Sequence, residues 1–286
     1  MKNGYIDAML YVMFSSFSFV FLDRLCGDIS PVSALFIMSG IAILFFNLVT
    51  VRLLLKTYKA CFLSPAIFFA MSAFLALDWV SMVYASHVAD PFIAMAALFI
   101  SLAIISFMIK FFRSRDIKDI ISLIILIFSL IMLLLGYKER IGHNNILGVL
   151  LGAVAGIAFY GYITTSEKFA KKHKLTSLQV LATRFWVLLI GSAISIDYQQ
   201  TITAFNSKLP ALVLISFCSL IIPIYFNQQA IMKLGALKTS VIISLVPPVT
   251  YFFYIVSNHQ YDALNTFICA LITLALFLPT FSRCNS

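Results

Sequence analysis

The sequence predicts an all-α integral membrane protein whose ten transmembrane helices form two inverted five-helix repeats. Of its 286 residues, 62% are hydrophobic and 11% are charged, whereas about 25% of residues are charged in ordinary soluble domains. The apolar residues form continuous runs of about 20, the length that a helix needs to cross a bilayer. Short basic clusters separate these runs. Because a soluble core could not bury this much apolar surface, we expect the bilayer to be the solvent.

Ten runs meet the length requirement, and very short connections join them. Strands of a membrane β-barrel would instead alternate in segments of about ten residues. The first run is followed by no small-residue cleavage site, so we predict a retained span rather than a signal peptide. The predicted spans are residues 5–22, 31–51, 65–85, 91–110, 117–136, 146–165, 177–196, 209–231, 238–256 and 262–281.

The distribution of basic residues predicts the orientation, because cytoplasmic loops retain lysine and arginine. With the N-terminus inside, fifteen of the 20 basic residues lie in inner segments, four lie in outer segments, and Arg184 lies within a span. This bias predicts that both termini are cytoplasmic. It also supports ten spans, because one missed helix would disrupt the alternation.

The two halves of the chain, residues 1–140 and 141–286, show a weak internal repeat. The segment "SPAIFFAMSAFLALDW" aligns with "LPALVLISFCSLIIPI", which places Pro65 opposite Pro210, and further on Ala89 falls opposite Ala236. Because each half has an odd number of spans, the second half enters the membrane from the opposite side. Inverted repeats of this kind favour alternating access, although a duplicated gene can also produce a purely structural bundle.

Two segments of the second half carry a family resemblance. The segments "QQAIMKLGALKTSVIISLVPPVTYFF" and "SLQVLATRFWVLLIG" resemble the drug/metabolite transporter superfamily of the EamA type. The resemblance implies transport of a small metabolite, most often export. The first half departs from the family pattern, since Met38 or its neighbour stands opposite Arg184, and this leaves the substrate subfamily open. The matching positions are Ala230, Gly235-Ala236, Thr239-Ser240, Pro247-Pro248 and Arg184.

Asp78 lies within the apolar segment "AFLALDWVSMVYASHVADP". It follows Pro65 by about 20 Å of helix in a hydrocarbon core about 30 Å thick. A lipid-facing carboxylate at that depth costs about 2.5 to 3.5 kcal/mol, so we expect Asp78 to face the interior, with Ser81 and Met82 on the same side. It would pair with a cationic substrate group or carry a proton. Alternatively, it is a neutral carboxyl that bonds to a neighbouring helix.

Arg184 is the basic residue that lies inside a predicted span. It lies about 10 Å from the cytoplasmic boundary, so it can either extend to the interface or face an anionic substrate group.

The amides of the eighth span, Asn227 and Gln228, align through the repeat with the polar part of the third span. This coincidence predicts a central cavity between those two spans, with the first and sixth contributing, although amides also join membrane helices structurally. Aromatic neighbours could stack on the substrate or simply pack. The predicted substrate-binding residues are Asp78, Trp79, Ser81, Tyr84, Tyr160, Arg184, Tyr225, Asn227 and Gln228.

Small and proline residues mark further features of the spans. Gly148 and Gly156 lie four residues on either side of Gly152, on one face of the sixth span, and this spacing favours close packing of helices in lipid. Prolines within the eighth and ninth spans predict kinks or hinges.

Patterns typical of enzymes are missing from the sequence. The cysteines have no CxxC or Cys/His spacing, the histidines have no i, i+4 pairing, and there is no GxxxxGK[ST] loop. We therefore expect no enzymatic activity, no metal, no cofactor and no disulfide framework. The dispersed basic residues also argue against a nucleic-acid partner.

The sequence thus predicts a secondary transporter in the bacterial inner membrane. It would move a small amphipathic, amino-acid-like metabolite by alternating access, in the direction of export. The expected partners are this substrate and the lipid bilayer, with protons as a candidate coupling ion and either a monomer or a homodimer as the assembly. The alternatives are uptake or exchange of a nucleoside-like or cofactor metabolite by the same fold, and a membrane scaffold or membrane-embedded enzyme.

Overall fold

The protein is helical throughout the part of the chain that the computed structural model describes, residues 2–26, 30–136, 144–258 and 261–279. A 3₁₀ turn (Val51–Leu53) and a π-helical turn (Ser216–Ile221) accompany the α-helices. These α-helices are α1 (Lys2–Cys26), α2 (Pro31–Val49), α3 (Leu54–Leu63), α4 (Pro65–Val88), α5 (Pro91–Ser114), α6 (Ile117–Gly136), α7 (Asn145–His173), α8 (Ser177–Thr183), α9 (Trp186–Ser195), α10 (Tyr198–Ile215), α11 (Ile222–Leu234), α12 (Ala236–Ile243), α13 (Val246–Asn258) and α14 (Ala263–Phe277).

Eight segments of the described chain are long and apolar enough to cross a membrane, which indicates a multi-pass membrane protein. They correspond to the second to ninth predicted spans. The first and tenth predicted spans coincide with α1 and with the shorter apolar helix α14. The eight segments are Val32–Val49, Pro65–Val88, Pro91–Ser114, Ile117–Gly136, Asn145–His173, Ser177–Ser195, Lys208–Leu234 and Ala236–Ser257.

Two connections predicted to be simple loops are helical. Residues 52–64 contain α3, whose buried face carries Thr57, Ala60 and Cys61. This i, i+3, i+4 spacing is that of one helix face, whereas the basic residues of the connection, Arg52, Lys56 and Lys59, favour a cytoplasmic loop. The connection after the seventh predicted span is also helical rather than a loop. It contains the beginning of α10 at Tyr198, where the Asp197 side chain accepts a hydrogen bond from the backbone N–H of Gln200.

Two predicted spans are interrupted rather than continuous. The seventh is divided between α8 and α9 at Arg184 and Phe185, and the ninth is divided between α12 and α13 at Ser244 and Leu245. Prolines 247 and 248 follow the second break and cannot donate backbone hydrogen bonds to the preceding turn. The eighth span passes through the π-helical turn before Pro223. Proline therefore marks two of these irregularities but not the one at Arg184.

The glycine face of α7 packs directly against α5 and the end of α4. A methyl group added at Gly148 would overlap the side chain of Ala89, and one added at Gly156 would overlap the backbone carbonyl of Leu98. The packing predicted for these glycines is confirmed. It places α4, α5 and α7 around the central part of the core.

The boundary between the two predicted repeats, at residues 140 and 141, lies outside the described residues. The same is true of the end of the tenth predicted span, residues 280 and 281.

Candidate functional site

A cavity of about 190 Å³ lies among the apolar helices. It is formed by α1, α4, α5, α7, α11, the π-helical turn and the break between α8 and α9. It therefore lies between the third and eighth predicted spans, with the first and sixth contributing, where the sequence predicts a central cavity. Its lining residues are Tyr11, Ser15, Ser18, Leu75, Asp78, Trp79, Met82, Val83, Ser86, Pro91, Leu98, Phe99, Phe159, Tyr162, Arg184, Ser219, Pro223, Ile224 and Asn227.

The Asp78 side chain faces this cavity from the middle of α4. Asp78 is 7% exposed, and Leu75 and Met82 line the cavity from the same face of the helix. The burial expected from the depth of Asp78 in its span is confirmed. Among the described residues, none donates a hydrogen bond to its carboxylate or forms an ion pair with it. The carboxylate is thus available to a molecule within the cavity.

The Arg184 guanidinium is the second charged group of the cavity. Its side chain is fully buried, so it does not extend to the interface. The guanidinium carbon lies 4.9 Å from the ring centre of Tyr162 and 4.7 Å from that of Phe185, distances that stabilise a cation over aromatic rings. All three guanidinium nitrogens lack a hydrogen-bond partner in the described structure. Burial of an arginine without an acceptor is costly.

Polar side chains from two other helices hold the helix break that carries Arg184. The amide nitrogen of Asn47 donates to the carbonyl oxygen of Ala182 at 3.0 Å. The Tyr58 hydroxyl donates to Asn47 at 2.8 Å and accepts from the Trp186 indole N–H at 3.0 Å. A carbonyl at a helix end is left without its intrahelical partner, and Asn47 replaces that partner. The interruption is consequently a hydrogen-bonded feature of the fold.

The beginning of α8 is fixed by a capping box. The Thr176 hydroxyl accepts a hydrogen bond from the Gln179 backbone N–H, and the Gln179 side chain accepts one from the Thr176 backbone N–H. The sequence T-S-L-Q permits this pair of bonds. Gln179 also donates to the Thr57 hydroxyl of α3 at 3.0 Å. Hydrogen bonds therefore fix both ends of α8, and Arg184 directly follows this helix.

Four of the nine predicted site residues line the cavity: Asp78, Trp79, Arg184 and Asn227. The other five do not. Ser81 is buried, Tyr84 is 45% exposed, and Tyr160 and Tyr225 are partly buried.

Gln228 lies directly beyond the cavity, where its side-chain oxygen accepts hydrogen bonds from Tyr162 and Ser166, each at 2.9 Å. It thereby links α7 to α11 at one end of the cavity. Gln228 is fully buried, and its side-chain nitrogen has no hydrogen-bond partner in the described structure. The residue is a neighbour of the cavity lining rather than a part of it.

Several lining residues were not predicted. Ser15 and Ser18 belong to the segment "FSSFSF" of α1, and this cluster of hydroxyls in an apolar span is the signal that could have identified them. The predicted site contains Tyr160 and not Tyr162. However, Tyr162 follows Phe159 by three residues, and residues at that spacing share a helix face.

The cavity extends toward one end of the bundle, where α4 ends and α5 begins. Ser86 and the exposed Pro91 line it there. At the opposite end, the Lys233 ammonium pairs with the Asp7 carboxylate at 2.6 Å, and the Glu167 carboxylate accepts a hydrogen bond from the Ala236 backbone N–H at 2.6 Å. The cavity thus reaches the surface at one end of the bundle, and polar contacts join α1, α7, α11 and α12 at the other.

The lining suits noncovalent binding. It combines one anionic group, one cationic group and a few hydroxyls with predominantly apolar walls, as is typical of sites for small molecules. Within the described ranges, no group of three or more His, Cys, Asp or Glu side chains could hold a metal ion.

Comparison with known proteins identifies the fold but no family. A solved structure described only as "Crystal structure of protein" is similar to this chain with a TM-score of 0.63 and 15% sequence identity, and the match covers 96% of this chain and 97% of that chain. No family model matches the sequence, and no curated protein matches it. At so low an identity, the structural similarity shows a shared overall fold alone.

Proposed function

We propose that the protein is a secondary transporter of the drug/metabolite transporter superfamily, EamA type, and not an enzyme. It moves a small amphipathic, amino-acid-like metabolite across the bacterial inner membrane by alternating access, in the direction of export. Its ten spans form two inverted repeats of five helices, and both termini are cytoplasmic. The observation that carries the proposal is a cavity among apolar helices that contains the buried Arg184 guanidinium, which has no hydrogen-bond partner in the described structure, and the buried Asp78 carboxylate, with which no described residue forms an ion pair.

Two further features support a carrier. Interrupted helices are frequent at the substrate sites of transporters, and the cavity here is lined by Arg184, which lies at such an interruption. In addition, the cavity reaches one end of the bundle, whereas the Asp7–Lys233 ion pair joins α1 to α11 at the other. In the proposed topology the cavity reaches the outer side and the ion pair lies on the cytoplasmic side.

Counterflow in reconstituted vesicles tests the proposal. Vesicles are loaded with a pool of unlabelled amino acids, diluted, and supplied with trace radiolabelled amino acids outside. A transporter should produce a transient accumulation of label that vesicles without protein do not show. Exchange with nucleoside or cofactor pools instead would support the alternative substrate class, and a lack of exchange with all three pools would favour a scaffold or an enzyme.

A further inference from the structure

We infer that the cavity binds a zwitterion, with the anionic group of the ligand on Arg184 and its cationic group on Asp78. This inference rests on the proposed function, because it names the charge pattern of the transported molecule. It depends on three features of the cavity: the N–H groups of Arg184 that lack an acceptor, the acceptor oxygens of Asp78 and Asn227 that lack a donor, and the apolar residues in the rest of the lining.

The surroundings of Arg184 determine the shape of the group that it can receive. Its guanidinium contacts the rings of Tyr162 and Phe185, while the N–H groups along its edge have no acceptor. A planar guanidinium with a free edge matches a carboxylate, which can accept two parallel hydrogen bonds. An anionic group therefore satisfies donors that the described protein residues leave unpaired.

The opposite requirement holds around Asp78. Its carboxylate only accepts hydrogen bonds when ionised, and no described residue donates to it. Asn227 lines the same cavity and carries a side-chain oxygen without a partner. An ammonium group offers three donors, so it can satisfy the carboxylate and this amide oxygen together.

The two charges of the cavity are not paired with each other. Asp78 and Arg184 attract each other electrostatically, but they form neither a hydrogen bond nor an ion pair within the described structure. A ligand with a single charge satisfies one of these groups and leaves the other buried without a partner, which is unfavourable. A ligand that carries both charges satisfies both groups.

The size and walls of the cavity limit the rest of the ligand. Its volume of about 190 Å³ is below the roughly 300 to 1,000 Å³ of pockets for drug-sized ligands, so the ligand is small. Apolar and aromatic side chains make up most of the walls and leave room for an uncharged apolar portion. These side chains are Leu75, Met82, Leu98, Phe99, Phe159 and Ile224.

Three matched ligand pools test the charge requirement on the detergent-solubilised full chain. The first contains natural amino acids, the second contains the corresponding amines without the carboxylate, and the third contains the corresponding acids without the amine. A ligand that binds the folded state raises its melting temperature. We expect a rise with the amino acids and binding weaker by about tenfold or more with each of the other pools. Equal rises with the amines or the acids, or no rise with any pool, would overturn the inference.

Two variants assign the ends of the ligand. Arg184→Gln should reduce the affinity for amino acids by about tenfold to a hundredfold, to the level of the amines. Asp78→Asn should reduce it to the level of the acids. The matched controls are Arg113→Gln and Asp197→Asn, which remove the same charges at exposed positions outside the cavity, and the Asp197 change retains a side chain that can cap α10.

The crossed loss of selectivity is the decisive readout, because a purely structural role would reduce all binding equally. If Arg184→Gln does not fold, Arg184→Lys retains the charge while losing the planar edge. It should bind amino acids more weakly than wild type and still prefer them to amines. If Arg184→Lys binds amino acids and amines equally, Arg184 does not hold the anionic group.

Binding and transport can fail separately. Binding of the amino-acid pool without counterflow would contradict the transporter but leave the zwitterion site intact. Counterflow of a molecule with a single charge would support the transporter and contradict the zwitterion.

Discussion

Asp78 and Arg184 show how much of a membrane site can be predicted from single residues. A charge deep in an apolar span is costly in lipid, so depth alone correctly predicts that Asp78 is buried. Depth did not determine the orientation of Arg184, which could have reached the interface. In the structure Arg184 lies at the break at residues 184 and 185, and its guanidinium lies over the ring of Tyr162. No local sequence signal marks that break.

At the residue scale, we predict that Asp78→Asn strongly reduces transport without preventing folding. Asparagine preserves the shape of the side chain and removes its ionisable proton, so both the partner of a cationic group and a proton carrier are lost. The measurement is counterflow at acidic and neutral pH with a protein of normal expression and monodispersity. The control Asp197→Asn should transport as wild type does.

If Asp78→Asn retains the transport rate and pH dependence of wild type, Asp78 has a structural role only. The alternative of a neutral carboxyl bonded to a neighbouring helix would then be favoured.

At the element scale, the apolar runs predict where most of the helices lie, whereas the interruptions depend on tertiary contacts. The predicted span 117–136 coincides with α6 (Ile117–Gly136), because its ends are set by a change in polarity. By contrast, the end of α8 at Thr183 depends on Asn47, which replaces an intrahelical partner of the Ala182 carbonyl. Asn47 is 135 residues distant along the chain, so periodicity within a span could not reveal this contact.

The same contact leads to a prediction for Asn47→Leu. This change removes the hydrogen bond to the Ala182 carbonyl and leaves the Tyr58 hydroxyl without one of its partners. A buried polar group without a partner costs about 1 to 3 kcal/mol, so we expect a lower melting temperature in detergent. An unchanged melting temperature would show that the Asn47 hydrogen bonds do not hold the break.

The glycine face of α7 permits a prediction with an internal control. Gly156→Ala should lower the melting temperature, because the added methyl group overlaps the Leu98 carbonyl and overpacking costs about 1 to 3 kcal/mol. Gly191→Ala in α9 meets nothing within 4 Å and should be neutral or slightly stabilising, since alanine favours helix by about 1 kcal/mol. Equal effects of the two changes would contradict close packing of α7 on α5.

At the scale of the whole molecule, the positive charges predict the topology. Single cysteines at Asn144 and Lys172 should react from opposite sides with an impermeant thiol reagent, the first from outside in intact cells and the second only after access to the cytoplasm. Asn144 directly precedes α7 and Lys172 lies in its last turn, and this helix is long enough to cross a membrane. Reaction of both from outside would contradict the inverted arrangement.

Accessibility of the cavity from both sides of the membrane is the most direct test of the proposed transporter. Ser15 lines the cavity from α1 and differs from cysteine by one atom. Ser15→Cys is made in a chain whose native cysteines are replaced, and it is treated with an impermeant thiol reagent in intact cells and in inverted vesicles. Alternating access predicts labelling from both sides, with the amino-acid pool changing the ratio of the two rates. Labelling from one side alone, with and without that pool, would contradict it.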